Sequence, residues 1–94
     1  MIPVYVRWLD AVHPLGEWTS TKDLVDDPCM LVETIGWLVR QSSSAVQVAV
    51  SVSDRSKPDD EQCTGEMTIP LCCIEVMESL PFDGGKRRVL HRRK

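Results

Sequence analysis

Apolar and polar residues alternate along much of the chain, and this period of two predicts short β-strands. In residues 4–12 the alternation places Val4, Val6 and Trp8 on one face and polar or larger residues on the other. Residues 45–53 alternate valine with small or polar residues in the same way. A strand that is buried on one side has this pattern, because successive side chains point to opposite faces. The chain is therefore predicted to be mainly β.

The longest apolar segment, residues 29–41, is long enough for a helix, but its composition favours a strand. It is rich in β-branched residues such as Ile35, and Gly36 lies in its middle. A glycine inside a strand often marks a bulge or a sharp bend. Ser42–Ser44 then forms a tight turn, so segments 29–41 and 45–53 are predicted to pair as an antiparallel hairpin.

The rest of the chain predicts shorter elements. A single helical turn is expected around Thr21–Val25, and the charged stretch 54–64 is expected to be an exposed loop. Two more strands are predicted at 65–69 and 73–80, joined by one 3₁₀ turn at Pro70–Cys72. Five short strands suit a small, strongly bent barrel, because bending lets one sheet bury a core that a flat sheet of this length leaves open.

This order of elements resembles the SH3-like and Sm-like barrels. The resemblance is most specific at residues 67–76, MTIPLCCIEV, where a strand ending in Ile-Pro leads through a 3₁₀ turn into a short strand. The span 4–80 also resembles small uncharacterised proteins of tailed bacteriophages and prophages. The segments that carry this second resemblance are YVRWLD at 5–10, Trp18, TIGWLV at 34–39, Ile69-Pro70 and Cys73-Ile74. It implies no defined activity and no catalytic residue.

Charge is divided unevenly between the body and the C-terminus. The chain has 94 residues and a net charge of −3, but residues 1–83 hold five bases against fourteen acids, while residues 84–94 hold six bases and no acid. We therefore expect a barrel domain at 1–83 and a flexible, disordered basic tail at 84–94, after the Gly84-Gly85 pair. Three interpretations of the tail stay open: contact with nucleic-acid phosphates, contact with an acidic face of this chain or a neighbouring copy, and a solvated terminus. Its candidate nucleic-acid contacts are Lys86, Arg87, Arg88, Arg92, Arg93 and Lys94.

Motifs of catalysis do not occur in this sequence. It has no phosphate loop, dinucleotide fingerprint or G-x-S-x-G turn, so we expect no enzyme and no cofactor. His13 has no nucleophile at a known spacing, and no metal site is expected, because Cys72 and Cys73 are adjacent. The N-terminus does not resemble a signal peptide, which predicts a cytoplasmic protein with free thiols at its four cysteines, Cys29, Cys63, Cys72 and Cys73.

The best candidates for a function are exposed aromatic residues and arginines. Trp18 lies in a polar loop, and an aromatic ring beside an arginine suits a base and a phosphate. We therefore expect ligand contacts from Trp18, Tyr5, Arg7 and Arg40. Open strand edges and surplus apolar positions predict a homo-oligomer, a dimer or a ring.

These features favour a non-enzymatic binding module. If the phage resemblance holds, the module is a counter-defence protein that sequesters a nucleotide signal or blocks a host factor in the host cytoplasm. Two alternatives are an Sm-like nucleic-acid-binding protein that uses its basic tail, and a structural or assembly protein of a virion.

Overall fold

The computed structural model describes residues 1–11, 18, 20–24, 29–81 and 88–93. These residues contain eight strands and two 3₁₀ turns. The strands are β1 (Ile2–Asp10), β2 (Met30–Gln41), β3 (Ala45–Ala49), β4 (Ser51–Ser53), β5 (Gln62–Thr64), β6 (Met67–Pro70), β7 (Ile74–Ser79) and β8 (Arg88–Arg92). The 3₁₀ turns are Thr21–Asp23, before β2, and Leu71–Cys73, between β6 and β7.

The strands form one antiparallel sheet of six, in the order β6-β3-β2-β1-β7-β8, and a separate ribbon of β4 and β5. The prediction of a mainly β chain is confirmed. The predicted count of five strands was too low, and neither sheet closes on itself within the described residues. Among these residues no helix is long and apolar enough to cross a membrane.

One face of the six-stranded sheet carries the core. The alternation predicted for β1 is confirmed, since Val4, Val6 and Trp8 are buried. The other strands add buried aliphatic side chains to the same cluster: Val46, Val48, Ile69, Ile74 and Met77. A chain of this size buries a small core, so loss of one of these side chains is costly.

Of the two tryptophans predicted in strands, one is central to the core and the other is not. Trp8 is buried, and its indole Nε1 donates a hydrogen bond to Thr34 Oγ1 at 3.0 Å. Trp37 is half-buried, and the guanidinium of Arg55 lies 4.8 Å from its ring centroid. The register explains the difference, because Trp37 pairs with Pro3, next to the core position Val4.

The irregularity predicted at Gly36 lies elsewhere in β2. The structure nevertheless explains why position 36 is a glycine. The register between β2 and β3 shifts between Leu38 and Arg40, which makes the irregularity a bulge at Val39. A Cβ atom on Gly36 would lie 2.8 Å from the carbonyl oxygen of Ala49. Gly36 therefore permits the close approach of the β3 backbone.

The prediction that residues 54–64 form a loop was wrong at the end of this stretch, because residues 62–64 form β5. The three residues of β5 are all exposed, so they give no alternating signal. They are ordered by pairing with β4, in the register Ser51–Thr64 to Ser53–Gln62. Gly65 follows with φ +67°, a conformation that favours glycine.

The predicted disordered tail is also wrong in the residues that the structure describes. Arg88–Arg92 form β8, which pairs with β7 along the edge of the sheet. Leu90 packs against the core, and the Arg88 backbone N–H donates to Ser79 Oγ at 2.8 Å. The segment is ordered although its composition is basic. Burial of an apolar side chain and pairing with the edge of β7 stabilise the strand more than repulsion among its basic residues destabilises it. Lys86, Arg87 and Lys94 lie outside the described residues.

Candidate anion-binding site

Arg7 lies on the face of β1 that points away from the core. In the sheet register it is opposite Glu33 on β2 and Val76 on β7, and Val76 is in turn opposite Arg92 on β8. These four positions form one row across four strands. Two arginines that are 85 residues apart in the chain are therefore separated by one strand.

A β-bulge in β7 lies beside Arg7 in this row. Arg7 pairs with Val76, but the next residue of β1, Trp8, pairs with Ile74, so both Glu75 and Val76 oppose Arg7. The bulge turns Glu75 towards the arginine, and its Oε2 atom lies 3.2 Å from Arg7 Nε. Both side chains are partly exposed, so the pair stabilises the fold by only about 0–1 kcal/mol. A guanidinium has five N–H donors, and this pair uses the one at Nε.

The end of β8 completes a cleft beside Arg7. The backbone N–H of Arg93 donates to the carbonyl oxygen of Glu75 at 2.7 Å, which fixes the chain where it leaves the strand. The resulting cleft has a volume of about 280 Å³. Its lining consists of Arg7, Glu75, Val76, Arg92 and Arg93. Three arginines and one glutamate are among the lining residues, so the lining carries an excess of two positive charges that favours an anion.

A second row on the same face lies next to the cleft. Tyr5 is two residues from Arg7 on β1, which places the two side chains roughly 6.7 Å apart on one face. Opposite Tyr5, Ile35 is 69% exposed. The Tyr5 hydroxyl donates a hydrogen bond to Glu33 Oε2 at 2.8 Å. The two rows together offer a cationic cleft beside an aromatic and aliphatic surface.

Glu33 keeps the Tyr5 hydroxyl protonated. The hydrogen bond to Glu33 raises the pKa of Tyr5 above 10.0, and desolvation and the negative charges of Glu33 and Glu78 act in the same direction, while Arg7 opposes them. Tyr5 is therefore a phenol at neutral pH, and its ring and hydroxyl stay uncharged beside the arginines.

We expect E33Q to lower the pKa of Tyr5 towards 10.0, because the variant removes the carboxylate that raises it. Tyr5 is the single tyrosine of the chain, so tyrosinate absorbance during an alkaline titration reports this group alone. Since the folded-state pKa lies above the unfolded value, the stabilisation from this pair is present below pH 10 and is lost as the pH rises through the folded-state pKa. A D54N variant, which changes an acid outside this row, is the control. An unchanged Tyr5 titration in E33Q would contradict this account.

The structure brings together only some of the residues predicted from sequence. Tyr5 and Arg7 share one face, and Arg92 and Arg93 of the predicted tail join them. Arg40 does not, because it lines a separate cleft of about 180 Å³ with Ser42, Ala45, Gln47 and Thr68.

Trp18 and Arg88 do not line the anion cleft either. Trp18 is fully exposed in the first loop. Arg88 pairs with Ser79 at the opposite end of β8. Candidate contacts at Lys86, Arg87 and Lys94 fall outside the described residues, as does His13.

Sequence reasoning missed the convergence of Arg7 with Arg92 and Arg93, and it missed Glu75 and Glu33 as partners. A signal for the convergence was present in Val89 and Leu90, an apolar pair inside the basic segment. Such a pair is typical of a short strand rather than of a solvated tail.

Comparisons with protein-family models, curated proteins and solved structures found no match for this chain.

Proposed function

We propose that this protein is a non-enzymatic binding module that holds a small phosphate-bearing ligand of the nucleotide class. The observation that carries the proposal is the cleft lined by Arg7, Arg92 and Arg93, with Tyr5 two residues from Arg7 on the same face of β1. Its lining of arginines, one paired glutamate and one valine offers charge for binding an anion.

Arginine supports a phosphate ligand better than a generic anion. Its planar guanidinium donates two parallel hydrogen bonds to phosphate oxygens, and such bonds are stronger than neutral ones. The excess positive charge of the cleft adds a long-range attraction that salt screens. We therefore place the phosphate between Arg7 and Arg92, over Val76.

The neighbouring row supports a planar group attached to that phosphate. Tyr5 and Ile35 present an aromatic and an aliphatic surface roughly 6.7 Å along the strands from the arginine row. That spacing suits a nucleoside base lying beside its own phosphate. The Glu33 carboxylate accepts hydrogen bonds, so it suits a sugar hydroxyl or an amino group of the base.

Titration calorimetry with mononucleotides, dinucleotides, cyclic nucleotides and inorganic phosphate tests this proposal. We expect at least one nucleotide to bind with higher affinity than phosphate alone, and the affinity to fall with added salt. If none of the nucleotides gives a binding heat, while circular dichroism shows that the protein is folded, the proposal is overturned.

Nucleic acid is the second candidate ligand, and the positions of Arg88 and Arg92 at the ends of an edge strand favour it. The register shift at Leu90 places these two residues on opposite faces, since Arg88 is opposite Ser79 and Arg92 is opposite Val76. A phosphate backbone that crosses the open edge of β8 therefore meets Arg88 on one face and Arg92 on the other. Filter binding with single-stranded RNA at low and high salt separates the two candidates. Contacts to several phosphates give a steep salt dependence, whereas a mononucleotide site gives a shallow one.

We also propose that the protein assembles with itself. Both edges of the six-stranded sheet, β6 and β8, have unpaired backbone groups. Several large apolar side chains are more than half exposed: Met30, Leu31, Ile35 and Val89. The basic edge β8 and the neutral edge β6, which Glu66 precedes, are compatible as partners in a head-to-tail contact.

Light scattering coupled to size exclusion tests the assembly. We expect a mass of two or more chains of 10.6 kDa each, and we expect it to persist on dilution to micromolar protein. L31S and I35S replace apolar residues on the outer face and are expected to shift the protein towards the monomer. A D59N variant in the exposed loop is the control. A wild-type mass of one chain would overturn the proposal.

An SH3-like or Sm-like barrel is the finer description of the fold that we propose. The order β6-β3-β2-β1-β7 within the sheet, with a 3₁₀ turn linking β6 and β7, supports it. In a phage-infected cell, a module of this kind in the host cytoplasm sequesters a nucleotide signal and thereby protects the phage from host defence. This role follows from the sequence resemblance and rests on the binding proposal above.

A further inference from the structure

Cys72 and Cys73 place two thiols side by side in the 3₁₀ turn between β6 and β7. In an extended strand, neighbouring side chains point to opposite faces, so two adjacent cysteines are kept apart. The 3₁₀ turn changes this, and the two Sγ atoms lie 4.0 Å apart. The turn itself is anchored, because the Leu71 backbone N–H donates to the carbonyl oxygen of Ser44 at 2.9 Å.

We propose that Cys72 and Cys73 form a dithiol site that binds a trivalent metalloid of the arsenous class through both sulfur atoms. Trivalent arsenic forms three bonds. When one bond is to an organic substituent, two sulfur atoms of the protein complete the coordination. Cys72 is exposed and Cys73 is half-buried, so the pair is open to solvent on one side.

The distance between the sulfur atoms fits one shared centre better than a disulfide. Two sulfur atoms that each lie about 2.3 Å from one pyramidal three-coordinate centre, with an angle of about 95° between the two bonds, are about 3.4 Å apart. The 4.0 Å between the Cys72 and Cys73 sulfur atoms therefore needs to shorten by only about 0.6 Å. A disulfide requires about 2.05 Å, and its usual Cα separation of about 4.4–6.8 Å exceeds the roughly 3.8 Å between neighbouring residues. A disulfide between these two cysteines is therefore strained and easily reduced.

The described residues near the two thiols favour a ligand that needs two sulfur atoms over a tetrahedral metal. In the described residues, no group of three or more histidine, cysteine, aspartate or glutamate side chains is placed to hold a metal ion. A structural zinc site needs four protein ligands, and a catalytic one needs three. A trivalent arsenical with one substituent is the class of ligand that two thiols satisfy.

The reaction is a condensation without any change of oxidation state. The arsenical carries two hydroxyl groups on arsenic, two As–O bonds break, two As–S bonds form, and the thiol protons leave with the hydroxyls as two water molecules. Burial raises the pKa of the Cys73 thiol, and its hydrogen bond with Cys72 acts in the same direction.

Phenylarsine oxide is the probe, and intact-mass spectrometry under native conditions is the readout. We expect one arsenical per chain on the wild type, retained against an excess of a monothiol such as glutathione and removed by ethanedithiol. Chelation by two linked thiols strengthens retention by roughly a hundredfold over a single thiol. C72S and C73S are expected to lose this retention.

C29S and C63S are the matched controls, because Cys29 and Cys63 are exposed single thiols. Both variants are expected to bind like the wild type. Retention that survives in the C72S/C73S double variant, or that depends on Cys29 or Cys63, would overturn the proposal. So would the absence of an adduct on a folded protein whose four thiols titrate as reduced. Nucleotide binding does not enter this test, so its outcome is independent of the proposed function.

Discussion

Replacing Arg7 by alanine is expected to weaken binding of a phosphate-bearing ligand by about 10–100-fold. Arg7 forms one wall of the cleft, and a hydrogen bond to a charged group contributes about 1.5–3 kcal/mol. The R7K variant keeps the charge but loses the paired donors of the guanidinium, so we expect it to recover only part of the affinity. Titration calorimetry with the nucleotide that binds best to the wild type measures both effects.

R40A is the matched control for R7A. Arg40 is also an exposed arginine at a small cleft, but its cleft contains no second arginine. We expect R40A to bind ligand like the wild type. The free energy of unfolding of R7A should change by less than about 1 kcal/mol, because the lost pair with Glu75 is partly exposed. Equal binding by R7A and the wild type would place the ligand elsewhere.

Arg92 and Arg93 extend this prediction to β8. R92A and R93A each remove one guanidinium from the same cleft while the backbone pairing of β8 remains. We expect each variant to weaken binding in the same direction as R7A and to leave the fold intact. If R7A reduces the affinity but R92A and R93A do not, then Arg92 and Arg93 do not contact the ligand and their assignment to the site is wrong.

Ending the chain at residue 87 is expected to lower the free energy of unfolding by about 3 kcal/mol. The truncation removes β8, and with it the Leu90 side chain that packs against the core. Full burial of a leucine contributes about 1.5–3 kcal/mol, so the partly buried Leu90 contributes about 1 kcal/mol, and the hydrogen bonds lost to β7 contribute about 2 kcal/mol together at this exposed edge. Urea denaturation followed by circular dichroism measures the loss.

A full-length R88S/R92S variant is the control for this truncation. It removes positive charge from β8 but keeps Leu90 and the backbone ladder, so we expect it to stay within about 1 kcal/mol of the wild type. A flexible tail predicts the opposite pattern, with no effect of the truncation on stability. Equal stability of the truncated chain and the wild type would therefore contradict the assignment of β8.

Much of the fold could be predicted because strands leave a local signal. The faces of β1, the strand at 30–41 and the 3₁₀ turn before β7 all follow from residues that are close in sequence. β5 could not be predicted, because its three exposed residues have no apolar alternation and are ordered by their partner β4.

The candidate site was predictable only in part, for a related reason. Tyr5 and Arg7 were found because an aromatic residue and an arginine lie two positions apart on one strand. Their partners Glu33, Glu75 and Arg92 come from three other strands, and a bulge in β7 decides that Glu75 faces Arg7. Nothing near Glu75 in the sequence shows that bulge.

By itself, the sequence determined that this chain is mainly β and which face of β1 is buried. The physical reason is that side chains alternate along a strand, so neighbouring residues already show the buried face. Only the tertiary structure decided that the basic segment becomes β8, that its arginines meet Arg7, and that Cys72 and Cys73 lie side by side. Strand register and turn geometry set those distances, and both depend on pairing between residues that are far apart in the chain.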